Sequence, residues 1–213
     1  PSCFSLLGAM SLGTAGLSAG ACVKKILNNN PSFKSPVLVS GATGGVGSVA
    51  VNLLSNLNFE VHAITGKSNE ESILKKMGAL KVIDRNEFMA EPVKALDKAI
   101  YSAAVDTVGG DILSKMLSMI ESHGSVACCG NVAGMKFTSS VFPFILRGIS
   151  LIGIDSAESD INFKKEIWGL FSNEWSLKID EYSRVIALED VGNEITKILD
   201  GKQVGRVVIK HGD

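Results

Sequence analysis

The chain has 213 residues, 46% of them hydrophobic, and a net charge of −1. That is enough for one substantial core, or one core with a small appendage, and too little for two full domains of ordinary enzyme size. The near-neutral charge, without a basic stripe or a run of like charges, excludes the electrostatic footprint of a nucleic-acid or anionic-membrane binder and leaves small molecules as the expected partners.

The opening segment PSCFSLLGAMSLGTAGLSAGACV is apolar and rich in small residues. It has no basic n-region and does not begin with methionine, so it reads as the interior of a longer chain rather than as a signal peptide. No stretch reads as the roughly twenty apolar residues of a membrane span. Apolar residues recur at helical spacing over residues 9–27, and Asn28, Asn29, Asn30 and Pro31 end that segment. Residues 36–41, PVLVSG, form the short continuous apolar run of a strand buried on both faces. The same alternation then repeats. Strand-like FEVHAIT precedes a helix at 69–77 ending at Gly78; KVID precedes a polar helix at 87–98; AAVDTV precedes a helix at 111–121; SVACCG and SLIGID follow. Six strands alternating with helices predict an α/β fold, a Rossmann-type doubly wound six-stranded parallel sheet. Past Asp155 the rhythm fails. A helix at 161–175, the strand RVIAL, a helix at 189–199 and the strand GRVVIK make a tail too small for an independent domain of ordinary size.

Residues 40–50, SGATGGVGSVA, hold four glycines between the first strand and the first helix of the sheet. Unpaired backbone N–H groups and the helix dipole favour an anion there, and a side chain would hold a pyrophosphate away from the backbone. Gly41 fits the tight turn, Gly44 and Gly45 the approach of the ligand, and Gly47 the close packing of the helix. No Gly-Lys-Ser/Thr follows, so a phosphate-hydrolysing P-loop is excluded.

The end of the second strand discriminates between dinucleotides. NAD sites place an Asp or Glu there for the ribose hydroxyls, whereas a 2′-phosphate repels that carboxylate and favours a cation. Here the strand ends without an acid and runs into Thr65-Gly66-Lys67-Ser68. Lys67 supplies charge and the hydroxyls of Thr65 and Ser68 supply hydrogen bonds, which is the chemistry of NADP(H). Arg85, just past the third strand, is a second candidate cation. Cys3, Cys22, Cys128 and Cys129 include no C-x-x-C pair, and only His62, His123 and His211 could join them as metal ligands. They read as structural thiols of a reduced, cytoplasmic protein, with neither zinc nor a disulfide framework expected.

PVLVSGATGGVGSVAV, ITGK, VIDRNEF, AAVDTVGGD, VFPFILRGISLIGIDS and GRVVIK together resemble the cofactor domain of zinc-independent medium-chain dehydrogenases/reductases. The likeness is to the quinone-oxidoreductase-like branch that includes the acryloyl-coenzyme A reductases. It runs from about Gly8 to the end, and FILRGxxLxGIDS is its most specific part. The resemblance implies NADPH-dependent reduction of an activated carbon–carbon double bond in an α,β-unsaturated thioester, with quinone reduction open as an alternative. By motif position, Thr43, Gly44, Gly45 and Val46 would cradle the pyrophosphate, and Thr65, Gly66, Lys67 and Arg85 would hold the 2′-phosphate end. Gly130 and Asn131, with Ile145 and Ser156, would frame the nicotinamide ribose and carboxamide, although Asn131 stands where the family has an apolar residue. The resemblance also implies a GroES-like catalytic domain ahead of Gly8, so catalytic residues are not assigned in this chain. Residues 1–30 then read as a linking helix, 31–156 as the NADP-binding domain, and 157–213 as segments returning to the catalytic domain, a short remnant of the GroES-like fold. It further implies a homodimer through the apolar edge strand 150–155.

Two other readings compete. A short-chain dehydrogenase also carries G-x-x-G-x-x-G but needs Tyr-x-x-x-Lys, and Tyr101 is followed by Val105 and Tyr182 by Ile186. A non-enzymatic NADPH-binding module or sensor has the same fold, because fold does not fix function.

Overall fold

All three residues of β1 (Val37–Val39) and all six of β4 (Tyr101–Asp106) are buried, as expected of strands covered on both faces. They are the two central strands of one parallel sheet in a computed structural model that describes residues 4–29, 34–175, 177 and 182–212. From β1 the chain passes through α2 (Gly45–Asn56), β2 (Val61–Thr65), α3 (Glu71–Lys76) and β3 (Ala79–Asp84) to one edge. It then crosses back by α4 (Arg85–Phe88) to β4, and continues through α5 (Gly110–Ser118), β5 (Ile120–Cys128) and α6 (Phe142–Arg147) to β6 (Ser150–Gly153) at the other edge. The order β3-β2-β1-β4-β5-β6 confirms the six-stranded doubly wound sheet and puts the reversal of strand order between β1 and β4.

Alternation along the strands divides the core in two. Val37, Val39, Val61, Ala63, Ala103, Val105 and Ala127 face one layer, with Leu12, Val23, Leu53 and Leu74. Leu38, Ile64, Ala104 and Val126 face the other, with Phe88, Leu113 and Met116. The first layer is built on α1 (Leu6–Asn29), which packs against α2, β5 and α7 (Ile161–Asn173). The chain ends with β7 (Ser183–Ala187), α8 (Val191–Leu199) and β8 (Arg206–Lys210), where β7 and β8 pair in parallel as a separate two-stranded sheet.

Three sequence expectations need correction. The helix expected at 87–98 is only the single turn α4, capped by the Asp84 carboxylate accepting from Asn86 N and Glu87 N; Pro92 lacks a donor and keeps the backbone before it from continuing the helix. The helix expected at 111–121 stops at Ser118, because Ile120 and Glu121 already belong to β5. By length and composition α1 is also long and apolar enough to cross a membrane, with a mean hydropathy of 1.5. More than half of that stretch is buried in this fold, Leu12, Ala19, Cys22 and Ile26 completely, so its apolarity is accounted for as core. The proposed domain boundary at residues 30 and 31, Pro31 and Cys3 lie outside the described residues.

The first crossover depends on backbone lying directly against backbone. A Cβ at Gly47 would stand 2.3 Å from the Gly41 carbonyl oxygen, whereas a Cβ at Gly169, inside α7, would meet nothing within 4 Å. Gly47→Ala is therefore expected to cost about 1–3 kcal/mol through overpacking, and Gly169→Ala to gain about 0.5–1 kcal/mol through helix propensity. Urea denaturation of the two variants checks the opposite signs.

Candidate functional site

At the carboxyl end of β1, Gly41 turns the chain with φ of 58°, a conformation that leaves no room for a side chain: a Cβ would lie 2.3 Å from Thr107 Oγ1. The turn is fixed from below. Ser40 Oγ donates to the buried Asp106 carboxylate at 2.6 Å, Thr107 Oγ1 donates to Ser40 O at 2.9 Å, and Gly109 N donates to Asp106 at 2.9 Å. The ends of β1 and β4 and the start of α5 are thereby tied to one carboxylate.

Above this knot, α2 begins at Gly45 with no acidic residue in its first turn and no side-chain cap on Gly44. The uncapped donors of the first turn face a region of positive potential. Thr43 and Thr65 are buried and share a hydrogen bond between their hydroxyls at 3.1 Å, and Val46 packs its side chain on the core. Thr43, Gly44, Gly45 and Val46 therefore form a continuous backbone surface, with the Thr43 side chain turned inward.

The residue that sequence reasoning missed is Arg206. Its Nε donates to Ser11 O at 3.0 Å, and its Nη1 lies 3.1 Å from where a Cβ of Gly45 would be. Helix α1 is kinked at Gly13 (φ 48°, ψ −148°), where a Cβ would come within 3.0 Å of Arg206 Nη2. No carboxylate pairs with this guanidinium among the described residues. Burial lowers its pKa from the usual arginine value, as expected of a desolvated, uncompensated cation. The contact joins residue 206 to residues 11, 13 and 45, so no local pattern announces it. The one signal in the sequence is a cation immediately after Gly205, at the head of the apolar run Val207-Val208-Ile209.

A second cluster lies past β2. Gly66 sits beneath Arg85, whose Cζ lies 3.0 Å from where a Gly66 Cβ would be. Lys67 Nζ donates to Gln203 O at 2.6 Å, and burial lowers the Lys67 pKa while the charge of Glu70 opposes that shift. The hydroxyls expected to serve a phosphate are engaged within the protein. Thr65 Oγ1 accepts from Lys67 N at 3.0 Å, and Ser68 Oγ donates to Asp84. Close by, Gly205 N donates to Thr43 O at 2.9 Å, and the side-chain oxygen of Gln203 is buried without a hydrogen-bond partner. The tail segment 203–206 thus touches both the glycine turn and Lys67.

Beyond α5 lies a cavity of about 820 Å³, lined among others by Gly109, Gly130, Asn131, Leu151, Ile154 and Asp155. Asn131 is part of its wall, and Ser156, next to the lining Asp155, bonds Ser18 Oγ at 2.7 Å. Ile145 does not join them: it lies on α6, 69% exposed and outside the lining. Arg147, in the most specific sequence motif, has a structural role, donating to Ser118 O at 2.7 Å and Ile120 O at 3.0 Å, and to Asp97 O.

A doubly wound parallel sheet with an uncapped glycine turn at its switch point is the architecture of a dinucleotide-binding domain. Residues 45–172 match the family described as zinc-binding dehydrogenase, and the chain belongs to it, among the medium-chain dehydrogenases/reductases. It is 40% identical to YhfP of Bacillus subtilis, named as a quinone oxidoreductase, over 99% of this chain and 64% of that protein. It is 34% identical to the acrylyl-CoA reductase AcuI of Ruegeria pomeroyi over 94% of this chain and 62% of that one. The crystal structure of the yhdH oxidoreductase from Salmonella enterica in complex with NADP superposes with a TM-score of 0.95 at 33% identity, covering 100% of this chain and 65% of that chain. The structure of YhfP, with NAD bound, also gives 0.95, covering 99% of this chain and 65% of that one. The chain thus spans slightly under two thirds of the length of these relatives. The metal in the family's description finds no fit among the described residues. Among the described residues no group of three or more His, Cys, Asp or Glu is placed to hold an ion.

Proposed function

We propose that this chain holds NADPH in an oxidoreductase that reduces the activated double bond of an α,β-unsaturated thioester such as acryloyl-coenzyme A. The observation that carries the cofactor reading is the unpaired, half-buried guanidinium of Arg206 beside the uncapped start of α2. The likeness to AcuI supports the thioester, and the likeness to YhfP supports quinone reduction as the second reading.

In this reading the backbone of Thr43, Gly44, Gly45 and Val46, with the Arg206 guanidinium, binds the pyrophosphate. Lys67 and Arg85, over the open surface of Gly66, take the 2′-phosphate. Thr65 positions the Lys67 backbone rather than donating to the phosphate. The orphan oxygen of Gln203 is an acceptor suited to a ribose hydroxyl. Gly130, Asn131 and Ser156 border the nicotinamide half. When bound, NADPH supplies the hydride, and the protein's work is binding and orientation. No side chain of this chain is assigned to proton transfer. The substrate-facing residues belong to a GroES-like domain, and the bare apolar residues Val185, Leu188, Ile195, Ile198 and Leu199 around β7 and α8 fit a face that such a domain covers. A soluble cytoplasmic enzyme fits this account, and turnover by the intact gene product separates it from a sensor module.

The first test is cofactor choice. Lys67→Ala should weaken NADPH by roughly ten- to a hundredfold, the equivalent of a charge-assisted contact of about 1.5–3 kcal/mol, and leave NADH nearly unchanged. Fluorescence titration of both cofactors checks this, and equal losses contradict the assignment of Lys67.

The second test is assembly. Among the described residues the outer side of β6 has no strand partner, and Phe142, Ile145 and Leu146 of the preceding helix α6 are exposed. A homodimer through residues 150–155 would cover this edge, and Ile145 serves better in that surface than at the nicotinamide. Ile152→Lys would place an unpaired charge in the contact and is expected to give monomers. Light scattering at tens of micromolar checks it: a monomeric parent, or a dimeric lysine variant, rules the edge out.

A further inference from the structure

We propose that Ser18, on α1, is a positioning residue for the cofactor: it takes the hydroxyl hydrogen of Ser156, which then offers the nicotinamide carboxamide an acceptor and no donor. The inference rests on the reading that the nicotinamide half lies against Ser156. The two serines are 138 positions apart in sequence, and their hydroxyl oxygens lie 2.7 Å apart. Ser18 Oγ also lies 3.0 Å from Thr14 O, a carbonyl that can only accept. A hydroxyl carries one hydrogen, so both bonds of Ser18 exist together only when Ser18 donates to Thr14 O and Ser156 donates to Ser18. The direction of the pair is thereby fixed.

Both partners are held where such an order persists. Ser18 is buried, and its bond to the carbonyl one turn back orients its hydroxyl. Ser156 sits inside a turn closed by the Asp155 carboxylate, which accepts from Ala157 N at 2.9 Å and Glu158 N at 3.0 Å, and by Ser159 Oγ donating to Asp155 O. The pair also stands between the two ends of the proposed cofactor site. Toward the glycine turn, Ala15 Cβ, one turn before Ser18 on α1, lies 3.6 Å from where a Cβ of Gly45 would be. Toward the cavity, Ile154 and Asp155 line the wall directly before Ser156.

The consequence is one of polarity. The bond to Ser18 uses the only hydrogen of the Ser156 hydroxyl and leaves its lone pairs for a ligand. A ribose hydroxyl both donates and accepts, so for it a fixed acceptor changes little. A carboxamide has N–H donors on one side and a carbonyl acceptor on the other, and an acceptor-only Ser156 selects the nitrogen side. The carboxamide is thereby turned one way about its bond to the ring. Without Ser18 the Ser156 hydroxyl rotates and serves either side equally. Ser18 acts through Ser156 and has no need to touch the cofactor.

The test compares NADP with its 3-acetylpyridine analogue, in which a methyl ketone replaces the carboxamide and no N–H remains. Isothermal titration calorimetry on the full chain measures both dissociation constants, and circular dichroism confirms that each variant folds. The parent should favour NADP by roughly two- to tenfold, as expected of one neutral hydrogen bond. Ser156→Ala should erase that preference by weakening NADP alone. Ser18→Ala should erase it by tightening the analogue, because the released Ser156 hydroxyl now donates to the ketone oxygen. Ser18→Thr, which keeps a hydroxyl, should retain the parental ratio. A parental ratio in either alanine variant, or equal losses for both ligands, overturns the proposal and leaves the cofactor reading standing. Failure of the parent chain to bind either dinucleotide overturns that reading and the inference with it.

Discussion

A carboxylate with no exposed surface is costly unless every lone pair is used, and Asp106 uses them at the point where the strand order reverses. Ser40 Oγ, the N–H groups of Val108 and Gly109, and the thiol of Cys128 all donate to it. These donors come from the ends of β1, β4 and β5 and from the turn into α5. Removing the charge would leave them without an acceptor in the core, and removing a donor would leave the charge short of one. The two crossovers that open the switch point are therefore set relative to each other. The glycine turn on one and the cavity on the other inherit their positions from that knot.

On this base the site is assembled mostly from backbone, and its cations arrive from a distance. Asp106 and Gly47 constrain the turn from beneath, while the tail segment 203–206 closes on it from above through Gly205 N, Gln203 O and Arg206. Helix α1 breaks at Gly13 to admit the guanidinium. Residues nearly two hundred positions apart thus share one small volume, and the tail is part of the cofactor site in the proposed reading rather than only an attachment to another domain.

That division also explains what was legible in the sequence. Continuous apolar runs such as VLV and AAV mark doubly covered strands because their burial requires it, and the parallel, doubly wound class of the sheet followed from the alternation of strands with helices. The glycine spacing marked the turn because Gly41 and Gly47 have no alternative side chain at those approaches. Local pattern misled where a neighbour in sequence decided otherwise: Pro92 ended a helix that the surrounding polar residues would support. It was silent where neighbours in space decide. Nothing near position 206 announces a partner at Ser11, and the hydroxyls of Thr65 and Ser68 looked free only because Thr43 and Asp84 were not yet beside them.

The central claim is that Arg206 and the glycine turn together hold the pyrophosphate, the part common to both dinucleotides. Titrating NADPH and NADH by fluorescence against Arg206→Met, with circular dichroism to confirm the fold, tests it most directly. The account predicts that both affinities fall by the same factor, roughly ten- to a hundredfold for a lost charge-assisted contact. Parental affinity for both cofactors in a folded variant would contradict it.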